Sequence, residues 1–289
     1  MEFTSATARD RYAAFVAAAS TAVVGLDFDG TLAPIVDDPA DARMHPEAAE
    51  VLADLSGVVF AITVITGRPA RQALALGGLD EIGNAVGDSG KELYLFGQYG
   101  NERWSSTSRR IVSPRPPRGL ASYLGALPSL LRRLDAAEAF VEEKGLAVAV
   151  HTRRLPDPAG AFSRLLPELE KLATDHGLAV EPGRQVIEAR APGMHKGQVV
   201  RDIAEDLSPG GFLFAGDDLG DVEAFEAVAE LRDAGLPTFL VCSASDEQTA
   251  LAAQADLVVD GPGGVLAFLR ELTSDAKGQG TDAAEASPG

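Results

Sequence analysis

Short apolar runs alternate with amphipathic stretches at both ends of this chain, and between those ends the alternation stops. Ala22–Phe28, Val58–Ile65 and Glu92–Phe96 read as buried strands. His45–Ser56, with Pro46 suited to its first turn, and Pro69–Leu76 read as helices between them. Strands separated by helices favour parallel pairing, because a parallel neighbour is reached only by a long crossover. Near Trp104 the pattern changes, and Ser105–Gly119 is a loop-like stretch rich in Ser, Pro and Arg. A helix over Leu120–Leu134 follows. Strands Ala139–Glu143 and Leu146–His151 come next, separated only by Lys144-Gly145, which is antiparallel hairpin spacing. A helix over Ala159–His176 and strands near Leu178–Glu181 and Gln185–Ala189 complete an α+β unit. From His195 the alternation returns: a helix, strand Phe212–Phe214, helix Val222–Arg232, strands Thr238–Val241 and Leu257–Val259, and helix Gly264–Leu272. The expected fold is α/β. A parallel-sheet core (residues 1–103 and 191–273) is split by an inserted α+β domain (104–190), and the small, polar tail 274–289 is expected to be disordered.

Charge and composition exclude several roles. With 25 Lys and Arg against 43 Asp and Glu, the net charge of −18 makes a poor partner for nucleic acid or a membrane surface. A single cysteine excludes a disulfide framework and a multi-cysteine zinc site, and Cys242, inside the apolar run LPTFLVC, reads as a core residue. Ala13–Leu26 imitates the apolar part of a signal peptide, but Glu2 and Asp10 lie upstream and cleavage would remove the first strand. No run reaches the ~18 apolar residues of a membrane span. A cytoplasmic protein is expected, with the oligomeric state open and a monomer compatible. Between Arg103 and Arg154 ten basic residues face four acidic ones, so the insert is expected to be basic and to attract an anion.

The chemistry-bearing residues fall at expected strand ends. Asp27-Phe28-Asp29-Gly30-Thr31 follows the first apolar strand. Two carboxylates two residues apart point to the same side, at the end of the sheet where α/β folds place ligands. A turn alone needs no second acid in that phase. Thr66 closes the second strand, before Gly67 and a helix start, where a hydroxyl and backbone N–H groups suit a phosphate or serve as a helix cap. Lys196 opens the helix after the insert. Asp217, Asp218 and Asp221 follow Phe212–Phe214 and suggest a hard-cation site, with a solvated acidic loop as the alternative.

Together these four motifs resemble those of haloacid dehalogenase (HAD) superfamily phosphohydrolases, over about Ala22–Leu272. The closer resemblance is to trehalose-6-phosphate phosphatases. It is carried by LDFDGTLAPIV (Leu26–Val36), ITGRP (Ile65–Pro69), GQYGNE (Gly97–Glu102), VEEKGLAVAVHTR (Val141–Arg153), VIEARAPGMHKG (Val186–Gly197) and FAGDDLGDVEAF (Phe214–Phe225). Tyr99 stands where that family commonly has His. Leu219, Gly220 and Val222 replace its usual Arg, Thr and Glu, and the three Asp residues are kept.

The resemblance implies a HAD-like Rossmannoid core with an inserted C2-type cap that closes over the site and reads a sugar. It implies hydrolysis of trehalose 6-phosphate, the last step of trehalose biosynthesis, through an aspartyl-phosphate. Asp27 is the implied nucleophile and Asp29 the acid and base, with Thr66 and Lys196 stabilising phosphoryl oxygens. Mg²⁺ is the implied cofactor. Asp27, the backbone carbonyl of Asp29, and Asp217 would hold it, and Asp218 or Asp221 would complete or orient the shell. Glu142, Lys144 and Glu188 would bind sugar hydroxyls, with ordinary exposed strand charge as the alternative. Arg68 would support the phosphate or pair with an acid, and His151 and Arg153 would line the pocket or build the cap. Trp104 reads as packing. Two other readings stay open: another sugar-phosphate phosphatase (glycosyl-phosphoglycerate or sucrose phosphate) and a non-catalytic sugar-phosphate sensor.

Overall fold

The computed structural model describes residues 2–36, 38–183, 185–244 and 249–285, with side chains of 249–250 and 280–285 left aside. The chain divides into two compact units. One comprises Met1–Val112 with His195–Gly289, and the other Ser113–Met194.

The first unit carries α1 (Ala6–Ala18), β1 (Ala22–Leu26), α2 (Ala48–Ser56), β2 (Ala61–Ile65), α3 (Ala70–Gly77), α4 (Leu79–Asp88), β3 (Glu92–Gly97) and β4 (Glu102–Ser105) before the insert. The insert unit carries α5 (Leu120–Arg133), β5 (Phe140–Glu143), β6 (Val148–His151), α6 (Pro158–Asp175), β7 (Ala179–Gly183) and β8 (Val186–Arg190). The first unit resumes with α7 (Lys196–Leu207), β9 (Gly211–Gly216), α8 (Val222–Asp233), β10 (Thr238–Ala244), α9 (Thr249–Ala252), β11 (Leu257–Asp260) and α10 (Gly261–Glu285).

The core sheet runs β11-β10-β9-β1-β2-β3-β4. Its pairs are parallel except β3 with β4. β1 and β2 are buried on both faces, which explains their continuous apolar sequence. Helices α1, α2, α3, α4 and α10 pack one face, and α7, α8 and α9 the other. The insert sheet runs β5-β6-β8-β7, all antiparallel, and packs one face on α5 and α6. Among the described residues no helix is long and apolar enough to cross a membrane.

Two expected boundaries move. The insert does not begin at residue 104, because β4 adds Trp104 to the core sheet, where its ring is buried. The second boundary lies after Met194 rather than at 190. The expected disordered tail is instead helical through Glu285, with residues 286–289 outside the described ones. Leu272 and Thr273 anchor this stretch in the core, and Tyr12 donates a 2.7 Å bond to Asp275.

Candidate active site

β1 lies between β2 and β9, so the residues after these three strands share one edge of the sheet. Asp27 follows β1, Thr66 follows β2 and Asp217 follows β9. This is the point at which strand order reverses and open α/β sheets bind ligands. The Asp27 amide donates to the carbonyl of Ala215 (2.9 Å), extending the β1–β9 ladder to the first acid. Gly30 then turns the chain at φ 71°. A Cβ there would lie 2.0 Å from Asp217 Oδ2, so Gly30 makes room for Asp217. Ser243, from β10, donates to the Gly30 carbonyl at 2.6 Å and pins this turn.

One carboxylate oxygen from each of Asp27, Asp217 and Asp221 lies within 4.8 Å of the others, and all three residues are buried. Lys196, the first residue of α7, extends Nζ to within 2.6 Å of both Asp27 Oδ1 and Asp221 Oδ1. His195 caps that helix by accepting from the Gln198 amide. Asp221 Oδ2 accepts from the amides of Asp217 (3.0 Å) and Asp218 (3.3 Å), so both of its oxygens are engaged.

The electrostatics follow from burial. Burial pushes the Asp27 carboxyl well above its usual range, against the pull of Lys196. Burial, with Asp218 and Asp221 close by, pushes Asp217 up to about 8. Asp221 is raised by burial, again against Lys196. Burial disfavours the Lys196 ammonium, but Asp221 and Asp27 outweigh it and hold its pKa well above the ordinary lysine value. Cys242 is a buried core thiol pushed up to about 11, by burial first and then by Asp217 and Asp221.

Asp29 and Asp218 stand apart from the three clustered carboxylates. Asp29, with a side chain 40% exposed, is gripped by Arg68 through two bonds: Nε to Oδ2 at 2.7 Å and Nη2 to Oδ1 at 2.6 Å. Arg68 also donates to the Pro39 carbonyl and lies over the Phe28 ring. Asp218 is exposed and caps the turn before α8, accepting from the Gly220 amide at 2.8 Å. Thr66 is buried, and its Oγ1 accepts from the Arg68 amide (3.1 Å). The backbone donors expected at α3 are partly taken, because the Ala70 amide donates to Glu102 Oε2 at 2.6 Å. Glu102 belongs to the GQYGNE segment, but no local spacing linked it to α3.

In the insert unit, Lys144 Nζ lies 2.6 Å from Glu188 Oε2, and His151 Nε2 lies 2.9 Å from Glu142 Oε2. Arg190 was not singled out from sequence. It is buried, with Nη2 2.9 Å from Glu181 Oε2 and Nη1 3.4 Å from Glu188 Oε1. The adjacent Glu188 and Arg190 share one face of β8, a spacing that was visible but indistinguishable from ordinary strand charge.

Several known proteins resemble this chain in sequence or in fold. A trehalose-phosphate phosphatase of Mycobacterium tuberculosis is 30% identical over 256 residues, covering 86% of this chain and 60% of that protein. An uncharacterized glycosyl hydrolase of the same organism is 34% identical over 216 residues, or 71% of this chain and 15% of that protein. The chain thus spans 60% or less of the length of these two relatives. The fold matches the C-terminal domain of C. albicans trehalose-6-phosphate phosphatase with a TM-score of 0.73 at 21% identity, covering 94% of this chain and 98% of that one. It also matches a haloacid dehalogenase-like hydrolase from Bacteroides thetaiotaomicron (TM-score 0.62, 13% identity, 86% and 98% covered). The fold is therefore HAD-like, a Rossmannoid core with an α+β insert. The Trehalose-phosphatase family profile matches residues 25–107 and 130–258. With more than half its length matched, the chain belongs to the trehalose-phosphatase family.

Proposed function

We propose that this chain is a Mg²⁺-dependent phosphatase that hydrolyses trehalose 6-phosphate to trehalose and phosphate. The observation that carries this reading is the buried cluster of Asp27, Asp217 and Asp221 around Lys196, at the ends of three adjacent strands, in a chain of this family.

The donor set fits the cation. Three buried carboxylates stand against one ammonium, and Asp217 is raised by burial first and then by the neighbouring Asp218 and Asp221. A hard divalent cation with oxygen ligands relieves that charge. Asp27, Asp217 and the Asp29 carbonyl would hold it. Asp221, with both oxygens engaged, orients Lys196 and the Asp217 loop rather than ligating. When bound, the cation lets an anionic nucleophile approach an anionic phosphate.

Asp27 then attacks phosphorus, and the bond from phosphorus to the sugar oxygen breaks. Asp29 gives a proton to that leaving oxygen. In the second half, Asp29 takes a proton from water, whose oxygen attacks the phosphoryl group and frees Asp27. For Asp29 to do this, its two-bond grip by Arg68 opens, with the incoming phosphate as the guanidinium's new partner. The Thr66 hydroxyl and the Lys196 ammonium balance charge on the phosphoryl oxygens. Glu142, Lys144 and Glu188 of the insert take the sugar hydroxyls.

A phosphate-release panel with purified protein and Mg²⁺ tests this reading. Trehalose 6-phosphate is expected to give the highest kcat/KM. A higher value for sucrose phosphate or a glycosyl-phosphoglycerate would overturn the substrate. No turnover of any ester would overturn the enzyme and leave the sensor.

A further inference from the structure

The two faces of the insert sheet are unlike. One buries Val148, Val150, Ile187 and Ala189 against α5 and α6. On the other, strand register sets Glu142, Ala149, Glu188 and Glu181 side by side across all four strands. One pleat along, the same register sets Phe140, His151 and Val186 side by side. The first row holds Glu142 and Glu188, two of the three proposed hydroxyl-binding groups. The second has no part in the chemistry described above.

That second row is built around an exposed ring. Phe140 is 47% exposed on edge strand β5. Its ring centre lies 5.4 Å from that of His151, with the planes at 40°. The bond between His151 and Glu142 ties the two rows together. The exposed Arg154 guanidinium lies 5.4 Å from the Phe140 centroid, a contact weak enough at an exposed site to yield to a ligand.

We propose that Phe140, braced by His151, is a specificity-determining residue that stacks on the apolar face of a second sugar ring. The insert sheet thereby favours a disaccharide leaving group over a single-ring one. The proposal rests on the sugar-phosphatase reading above. A pyranose carries hydroxyls around its rim and C–H groups on its face, so it calls for polar groups beside a flat apolar platform. The two rows supply that pairing, a flat aromatic face beside a row of carboxylates. Size agrees. Strands lie about 4.8 Å apart and alternate residues about 6.8 Å apart, so Phe140 to Glu188 spans roughly 12 Å, more than one ring and about the length of two.

The test compares Phe140→Ala and Phe140→Trp with the parent on trehalose 6-phosphate and glucose 6-phosphate. Phe140→Ala should raise KM for the disaccharide ester about tenfold, with kcat within about twofold, and should lower its kcat/KM about tenfold more than that of glucose 6-phosphate. Phe140→Trp should restore the disaccharide constants. Equal losses on both esters, or no change on trehalose 6-phosphate, would overturn the platform. If the parent prefers another sugar ester, only the substrate assignment falls, and the same comparison is made between that ester and a one-ring ester. If the parent turns over nothing, Phe140→Trp fluorescence decides, corrected with the parent for Trp104. A shift on adding trehalose but not glucose supports the platform, and no shift with either sinks it.

Discussion

Asp217 binds a proton more tightly in the fold than a carboxylate does in water, and burial is the main cause. The metal-free native state therefore holds protons that the unfolded chain releases near about pH 4. The sign follows: the stability these groups contribute is complete below that range and is lost as pH rises through about 8. Melts of the metal-free protein should show Tm falling from about pH 6 to about pH 9, and a divalent cation should shrink the fall. An equal fall with and without Mg²⁺ would remove the cluster as its source. Asp27→Asn should lower kcat at least about a thousandfold, as expected for loss of a nucleophile. Because Asn mimics the protonated acid, its metal-free Tm should be no lower than the parent's. In the insert, Arg190→Met removes one of the two cations on Glu188 while Lys144 stays, and should cost about 1.5–3 kcal/mol in denaturant unfolding of the intact chain. A cost near zero would mean that Lys144 alone compensates Glu188.

Gly30 shows how an element's end decides chemistry. A methyl group at Gly30 would collide with the Asp217 carboxylate, and the positive φ adds strain. Gly30→Ala should therefore abolish Mg²⁺ binding by calorimetry, and a bound stoichiometry of one would refute that role. Much of this architecture is legible in the sequence because buried parallel strands announce themselves as apolar runs. Asp27 and Asp29 are legible as a pair of acids at a strand end, but β1 stops at Leu26 and the two carboxylates part, Asp27 into the buried cluster and Asp29 to Arg68. What stays hidden has physical reasons. β4 is four residues long at the sheet edge, with Glu102, Arg103 and Ser105 around one buried Trp, so no alternation stands out. α1 turns only Ala8, Tyr12, Phe15 and Val16 inward, and alanines elsewhere blur that face. In α4, Leu79, Ile82, Gly83 and Val86 keep helical spacing, but the glycines at 78, 83 and 87 disguise it. The grips of Arg68 on Asp29 and of Glu102 on Ala70 join residues 39 and 32 positions apart, which no local pattern encodes.

At the scale of the whole molecule, the charge expectation changes. Ser113–Met194 holds eleven basic and ten acidic residues, so the insert unit is nearly neutral and the rest of the chain carries −19. Three of the arginines that made the stretch look basic, Arg103, Arg109 and Arg110, belong to the core unit. Arg103 there pairs with Asp202 and Asp206, and Arg109 with Asp80. Raising NaCl from about 50 mM to about 300 mM should then change kcat/KM less than about twofold at saturating Mg²⁺, while weakening apparent Mg²⁺ affinity. A steep fall in kcat/KM at saturating Mg²⁺ would restore long-range steering by the insert.

The insertion also sets a timetable. β1, which leads into Asp27, completes its ladder only with β9, about 185 residues further along the chain. At roughly 5–20 residues per second, a ribosome reaches β9 roughly 10–40 s after β1. In that interval β1 is the bare apolar edge of a half-made sheet, while the insert, whose strands are contiguous in sequence, can already close on itself. The nascent chain is stickiest in the middle of its synthesis, and β1 is the segment that a ribosome-bound chaperone would have to shelter.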